Sequence, residues 1–468
     1  MQNAQIQRIR RDVRMEAAAA NGKPKESCGT KIPKGTPCPR PAPGEAAGGC
    51  SFDGAQITLL PIADAAHLVH GPIACLGNSW ESRGSLSSGP ELSAYGLSTD
   101  LEEQDIIFGS ERKLRESILY IVNRFAPPVV FVYTTCVTAL IGEDIDAVCK
   151  AETEQLGVPV IPVNSPGFVG SKNLGTRLAG DVLLQHVIGR AEPEQTTPHD
   201  INLIGEYNIA GELWHIEQLL QQIGIRILSR ITGDGRFREI SWAHRAKVNM
   251  VVCSRALLGL AVQMERKYGI PYFEGSFYGA KETSYSLRQI AYLTGDREVE
   301  RKVDKLAARE ELRLQRELEP YRRLLKGKRV VLYTGGVKNW VCHYCITGAG
   351  NEGSWGRHQQ EYCGGCIADC RAYWRLMLII SRRVVRGRFS RRYEVVRLIW
   401  SLPGGVICIW PLKEQIPFVD INQERHTAYA GYEGLLTLAR QLAYSLEHPV
   451  WRLAAKQAPW EEESGNAD

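Results

Sequence analysis

The chain has 468 residues, 44% of them hydrophobic and 23% charged, enough apolar material for about three domains at roughly 100 to 200 residues each. Length and composition exclude a disulfide-stapled peptide, collagen and a disordered polymer, and no apolar run reaches the ~20 residues that a membrane span needs. The net charge of +5 is no sign of a nucleic-acid-binding face, because residues 341–412 alone hold 10 Arg, no Lys and 4 acidic residues, leaving the rest close to neutral.

Residues 1–48 read as a flexible polar arm ending in PKGTPCPRPAPGEAAGG, where no helical or strand period survives. Such an arm suits wrapping a partner. The first 23 residues lack the apolar core of a signal peptide, and Asp12 and Glu16 argue against an organellar presequence, so a cytoplasmic location is expected. In that reducing compartment the 13 Cys are better metal ligands, reactive thiols or core fillers than disulfides.

Beyond the arm one pattern recurs: a β-branched apolar strand, a small-residue turn and a helical period, as in PPVVFVYTTC, DINLIGEYNIAGELWHIEQLL and KRVVLYTGGVKNW. These are βα units, and the expected fold is α/β, three Rossmann-like doubly wound parallel-sheet domains, each with a strand-end crevice. Domain I is placed at 49–198, up to the linker AEPEQTTPHD, domain II at 199–325, and domain III at 326–468, after a long charged helix. No turn carries a full G-x-G-x-x-G or a P-loop, which speaks against nucleotide binding.

Four thiols stand where chemistry is done. Cys50 follows two glycines in GGCSFDGA, which let the backbone approach a bulky group. Cys75 lies in the tight turn of HGPIACLGNSW, and Cys136 ends the strand VVFVYTTC just before a helix. Three thiols on three turns can converge on one ligand, although each alone is equally readable as a small buried hydrophobe. Cys253 follows the strand VNMVV and opens a helix, a place that lowers a thiol's pKa and favours anionic sulfide. Cys149 reads as core. Cys28 and Cys38 lack a matching second pair, and the histidines at 67, 70, 215 and 244 read as packing or surface residues.

The stretches GGCSFDGAQITLLPIADAAHLVHGPIACLGNSWESRG, FVYTTCVTALIGEDIDAVCK, GSKNLGTRLAGD, LIGEYNIAGELWH, VVCSRALLGLAVQMERKYGIPYFEGSFYG and FVDINQERHTAYAGYEGLL resemble the nitrogenase component 1 family, and within it the subunits that build the iron–molybdenum cofactor. That resemblance implies a scaffold in an α2β2 heterotetramer with the partner subunit NifN, served by the nitrogenase Fe protein and by cofactor donor and carrier proteins. On it an iron–sulfur precursor acquires molybdenum and homocitrate before transfer to apo-nitrogenase. It further implies that Cys50, Cys75 and Cys136 ligate a [4Fe-4S] cluster at the subunit interface, and that Cys253 anchors the precursor. The catalytic α subunit of the family has a molybdenum-ligating histidine where this chain has Asn422, a far weaker metal ligand. Beside the cofactor, GSKNLGT offers Lys172 and Thr176 in place of a glutamine and a histidine, gaining a cation for an anionic cluster or homocitrate. Arg83 aligns with an arginine near the cofactor. These departures favour assembly over dinitrogen reduction. The alternative is a catalytic reductase subunit, of the nitrogenase α or dark-operative protochlorophyllide reductase type.

Between 341 and 412 the resemblance stops. Cys342-x2-Cys345-x17-Cys363-x2-Cys366 has zinc-ribbon spacing, and a zinc-binding module grafted on the fold is a third reading. Arg without Lys, with excess Gly, Cys and Trp, is however what GC-rich coding sequence gives when read out of frame. The block is therefore read as a pair of compensating frameshifts that would leave domain III with a broken core.

Overall fold

A computed structural model describes residues 49–80, 85–252, 254–326, 329–333, 395–399, 417–420 and 427–453. These all belong to one compact unit, 48–353 with 394–468. The N-terminal arm, Arg83, Cys253, Asn422 and all of 341–412 except 395–399 lie outside the described residues.

Three parallel sheets form the frame. The first has the order β2-β1-β3-β4, built from β1 (Ala66–His70), β2 (Leu97–Ser98), β3 (Val130–Thr134) and β4 (Val160–Val163). The second repeats this winding as β6-β5-β7-β8, from β5 (Asp200–Glu206), β6 (Arg226–Thr232), β7 (Val248–Val251) and β8 (Tyr272–Glu274). The third is β11-β10-β9, from β9 (Arg329–Tyr333), β10 (Val395–Ile399) and β11 (Phe418–Asp420). Every residue of β1, β3, β5 and β7 is buried, as expected of parallel strands covered on both faces; β3 (VFVYT) reads as an apolar run for this reason, while β1 and β5 also bury His67, His70, Asp200, Asn202 and Glu206.

The central strand of the third sheet falls inside the anomalous block. β10 pairs Val395 to Ile399 in register with Arg329 to Tyr333 on one side and reaches β11 on the other. Its sequence, VVRLI, is β-branched and apolar around one arginine, so it satisfies a parallel strand's needs within an otherwise unpatterned stretch.

The helices used below are α1 (Ser51–Leu59), α2 (Ile73–Trp80), α3 (Cys136–Ile141), α4 (Ile145–Leu156), α5 (Lys172–His186) and α6 (Ser254–Tyr268). α1 is buried along its whole length and lies against α5. Both sit in a continuous core in which Phe52, Ala55 and Leu59 meet Leu183, Phe131, Ile204, Val251 and Leu260, so the first two sheets share one apolar interior. A second core, with Leu114, Ile118 and Cys149, fills the opposite face of the first sheet. Cys149 is thus the core filler its sequence context suggests, and burial pushes its thiol up to about 12.

His67 supplies a pH-dependent part of this core. It is fully buried, stacked on Phe131 and Tyr133, with Nδ1 2.8 Å from the Tyr133 hydroxyl and Nε2 3.3 Å from the Ile62 carbonyl. Burial depresses its pKa to about 4, below the 6.5 of a free imidazole. Between those values the unfolded chain binds a proton that the folded chain does not, so stability is complete above pH 6.5 and falls as pH drops toward 4. The expected slope from this group is about 1.4 kcal/mol per pH unit in that window. Denaturation midpoints of the parent and of His67→Phe at pH 7 and 5 check it, the variant losing this part of the pH dependence.

Candidate thiol-lined functional site

In an open sheet wound 2-1-3-4 the chain leaves the first strand to one side and the third to the other, opening a crevice at their carboxyl ends. In the first sheet that crevice lies between β1 and β3. Cys75 stands in the first turn of α2, which follows β1, and Cys136 opens α3, which follows β3. Cys50 is the N-cap of α1 and pairs as an isolated antiparallel bridge with Ser171, just before α5. Chain topology therefore gathers thiols that are widely separated in sequence.

The wedge between them is Gly167. A methyl group there would stand 2.9 Å from Cys136 Sγ and 3.1 Å from Cys50 Sγ, so the two sulfurs are no farther apart than the sum of those distances. Cys75 belongs to the same group. Burial raises its pKa, and the neighbouring Cys136 and Cys50 raise it further. All three thiols are free and half-buried. Ser51 fixes the approach of α1 by donating from its hydroxyl to the carbonyls of Ser165 (3.3 Å) and Pro166, on the segment that carries Gly167.

Among the described residues no three His, Cys, Asp or Glu side chains gather closely enough to hold one metal ion. A polynuclear iron–sulfur core needs a different arrangement, with thiolates placed around a larger body, each on its own iron. Three converging thiols, an indenting glycine between them and helix N-termini at Cys50 and Cys75 fit such a group. Coordination would also reverse the raised pKa of Cys75, since a thiol bound to metal loses its proton.

A hydrogen-bonded group ties the end of β1, which leads to Cys75, to α3, which Cys136 opens. His70, the last residue of β1, places Nε2 2.9 Å from Glu143 Oε2 and Nδ1 3.0 Å from the Thr99 hydroxyl. The Ser110 hydroxyl donates to Glu143 at 2.5 Å, and Thr138 in α3 donates to the His70 carbonyl at 3.4 Å. Burial lowers the pKa of His70 against the pull of Glu143. For Glu143, burial alone would raise the pKa, but the hydrogen bonds from Ser110 and His70 outweigh it and hold the carboxyl below its usual range. The pair is a neutral imidazole donating to a carboxylate, with Thr99 donating to the imidazole's other nitrogen while accepting the Gly71 amide at 3.1 Å. Sequence reasoning took His70 as a packing or surface residue, which its burial bears out, without marking its polar partners, and it passed over Glu143 and Gly167. The Pro166-Gly167 turn directly after β4 is the one local signal that marked the last of them.

Of the expected precursor-binding residues, Lys172 is described. It is the first residue of α5, 27% exposed, with Nζ 3.5 Å from Asp53 Oδ2. Thr176, one turn on, is buried and donates to the Lys172 carbonyl at 3.1 Å. Cys253, Arg83 and Asn422 have no described position. By sequence Cys253 falls between Val252 and α6, after β7, which with β5 flanks the corresponding crevice of the second sheet.

Residues 50–352 match the family described as nitrogenase component 1 type oxidoreductase. The nitrogenase iron–molybdenum cofactor biosynthesis protein NifE of Nostoc sp. is 53% identical over 90% of this chain and 88% of its own length. The NifE protein of Klebsiella pneumoniae is 48% identical over 90% of this chain and 94% of its own. Among solved structures, nitrogenase Cp1 at pH 5 superposes with a TM-score of 0.74 at 25% identity, covering 92% of this chain and 94% of that one. With the winding of the sheets and the gathered thiols, these likenesses establish that the chain belongs to the nitrogenase component 1 type oxidoreductase family and groups there with the NifE proteins.

Proposed function

We propose that the chain is a scaffold subunit for assembly of the iron–molybdenum cofactor of nitrogenase, with a resident [4Fe-4S] cluster on Cys50, Cys75 and Cys136. The supporting observation is the meeting of Cys50 and Cys136 at Gly167, where both sulfurs lie about 3 Å from the position of an absent methyl group, with Cys75 near enough to feel both. The resident cluster supplies one-electron redox chemistry to the complex. The cargo is a transient iron–sulfur precursor, anchored by Cys253, that takes up molybdenum and homocitrate before leaving for apo-nitrogenase. With Asn422 in place of an imidazole, the cargo's far end is held weakly enough to be handed on.

The thiol site needs company. Ile73 on α2 and Leu140 on α3 are 58% and 74% exposed beside it, and Ile107 and Phe108 are exposed on a short helix packed against α3. Apolar side chains grouped at a half-buried site mark a surface that other proteins cover. NifN in an α2β2 heterotetramer and a docking Fe protein are the partners this reading assigns. No helix among the described residues is long and apolar enough to cross a membrane.

Iron analysis tests the assignment. After anaerobic co-purification with NifN, Cys50→Ala is expected to lose the EPR signal and iron of the resident cluster while retaining the cargo's. Cys253→Ala is expected to lose the cargo's iron and keep the resident signal. Equal iron in both variants and the parent would overturn the ligand assignment.

A further inference from the structure

The room made by Gly49 is filled from within the chain. Its φ is +110, and a methyl group there would lie 2.1 Å from Asp53 Oδ2 and 3.3 Å from Lys172 Cδ. The backbone locks the same corner together: Lys172 N donates to the Gly49 carbonyl at 3.0 Å, and Cys50 bridges Ser171. At Gly49 the room left by the missing side chain is taken by the Asp53–Lys172 ion pair.

That pair is an unusual use of a lysine. The first turn of a 15-residue helix carries the positive end of its dipole, which disfavours a cation, and Lys172 is mostly withdrawn from water. Asp53, whose side chain is 11% exposed, supplies the opposing charge. A cation placed against its helix and then half-neutralised by one carboxylate attracts an anion less than a lone lysine and more than an amide.

We propose that Asp53 is a positioning residue that moderates the grip of Lys172 on an anionic iron–sulfur cargo, so that the cargo is held but can leave. This rests on the reading of Lys172 given above. Removing the carboxylate's charge then strengthens retention, and removing the lysine's weakens it. Because Asp53 acts through Lys172, its effect vanishes when Lys172 is gone.

The test uses the full chain in complex with NifN, anaerobically loaded, with iron release to an excess of chelator followed in time. The cargo pool is the iron that Cys253→Ala lacks relative to the parent. Asp53→Asn is expected to slow release of that pool about fivefold, the size of a partly screened charge contact, and Lys172→Gln to quicken it by a similar factor. Asp53→Glu is expected to restore parental release, and Asp53→Asn with Lys172→Gln to match Lys172→Gln alone. A carboxylate with a merely structural role would lower the iron of both pools and leave no such dependence on Lys172. Parental or faster release from Asp53→Asn, or a double variant slower than Lys172→Gln, overturns the proposal. If Asp53→Asn does not accumulate, Asp53→Ser carries the same comparison with Lys172→Gln, and parental or faster release from it overturns the proposal, whereas parental release from Lys172→Gln belongs to the underlying reading of Lys172. If the parent and Cys253→Ala hold equal iron, the failure belongs to the underlying reading of a Cys253-anchored cargo.

Discussion

Gly167→Ala is expected to empty the thiol site while leaving the fold almost intact. The added methyl would sit 2.9 Å and 3.1 Å from two sulfurs, closer than carbon and sulfur pack. Without metal each thiol can turn about its Cα–Cβ bond to another rotamer, which leaves only the tight 3.2 Å approach to Cys50 Cβ to be taken up by a small shift, so the stability cost stays near the low end of overpacking, about 1 kcal/mol. With iron bound the sulfurs are pinned and cannot turn away. The cost then falls on the cluster. We expect the resident EPR signal to drop by at least about half, with the midpoint of metal-free unfolding moved by only ~2–4 °C. An unchanged cluster signal would mean that the sulfurs do not converge where Gly167 holds them apart.

How much of this was legible in the residues differs from element to element. The strands β3, β5 and β7 announced themselves as largely apolar stretches leading into a turn and a helix, because parallel strands bury both faces and need no alternation, whereas β1, AHLVH with two histidines, did not. The same logic put Cys136 at a strand end, and the Pro/Gly context put Cys75 in a tight turn, which the structure sets after β1 where the winding of the first sheet opens its crevice. What sequence could not give is distance. Gly167 lies over 100 residues from Cys50 and in a different turn from Cys136, so its closeness to both sulfurs is set by how β4 and α1 pack. Asp53 has the same character: nothing local shows that its carboxylate reaches Lys172, since that pairing depends on α1 lying against α5. β10 failed for the opposite reason. Arginine-rich surroundings masked five residues that satisfy a strand, and composition averaged over the block of 72 residues is blind to a pattern of five.

The most disruptive single substitution expected in the described chain is Gly175→Ala. Its added methyl would lie 1.8 Å from the Ser51 carbonyl oxygen, 2.6 Å from the Ser51 carbonyl carbon and 2.8 Å from the Ala55 amide nitrogen. Gly54 on α1 answers it from the other side, with Lys172 O at 1.9 Å from its own missing methyl. Unlike thiols, backbone atoms of a helix have no rotamer to escape to, so α1 and α5 must move apart. Separation opens the shared core around Phe52, Ala55 and Leu59 and carries Cys50, at the head of α1, away from Cys136. Overpacking with a cavity beside it costs upward of about 3 kcal/mol. Gly180, on the same helix, supplies the comparison. A methyl there meets the Leu257 side chain at 3.1 Å and no backbone closer than ordinary contact, and alanine favours a helix over glycine by up to ~1 kcal/mol. Denaturant midpoints should therefore fall steeply for Gly175→Ala, with the resident cluster lost alongside, and change little for Gly180→Ala. Equal losses in the two would show that general crowding of α5, and not backbone contact with α1, sets the position of the thiol-bearing helix.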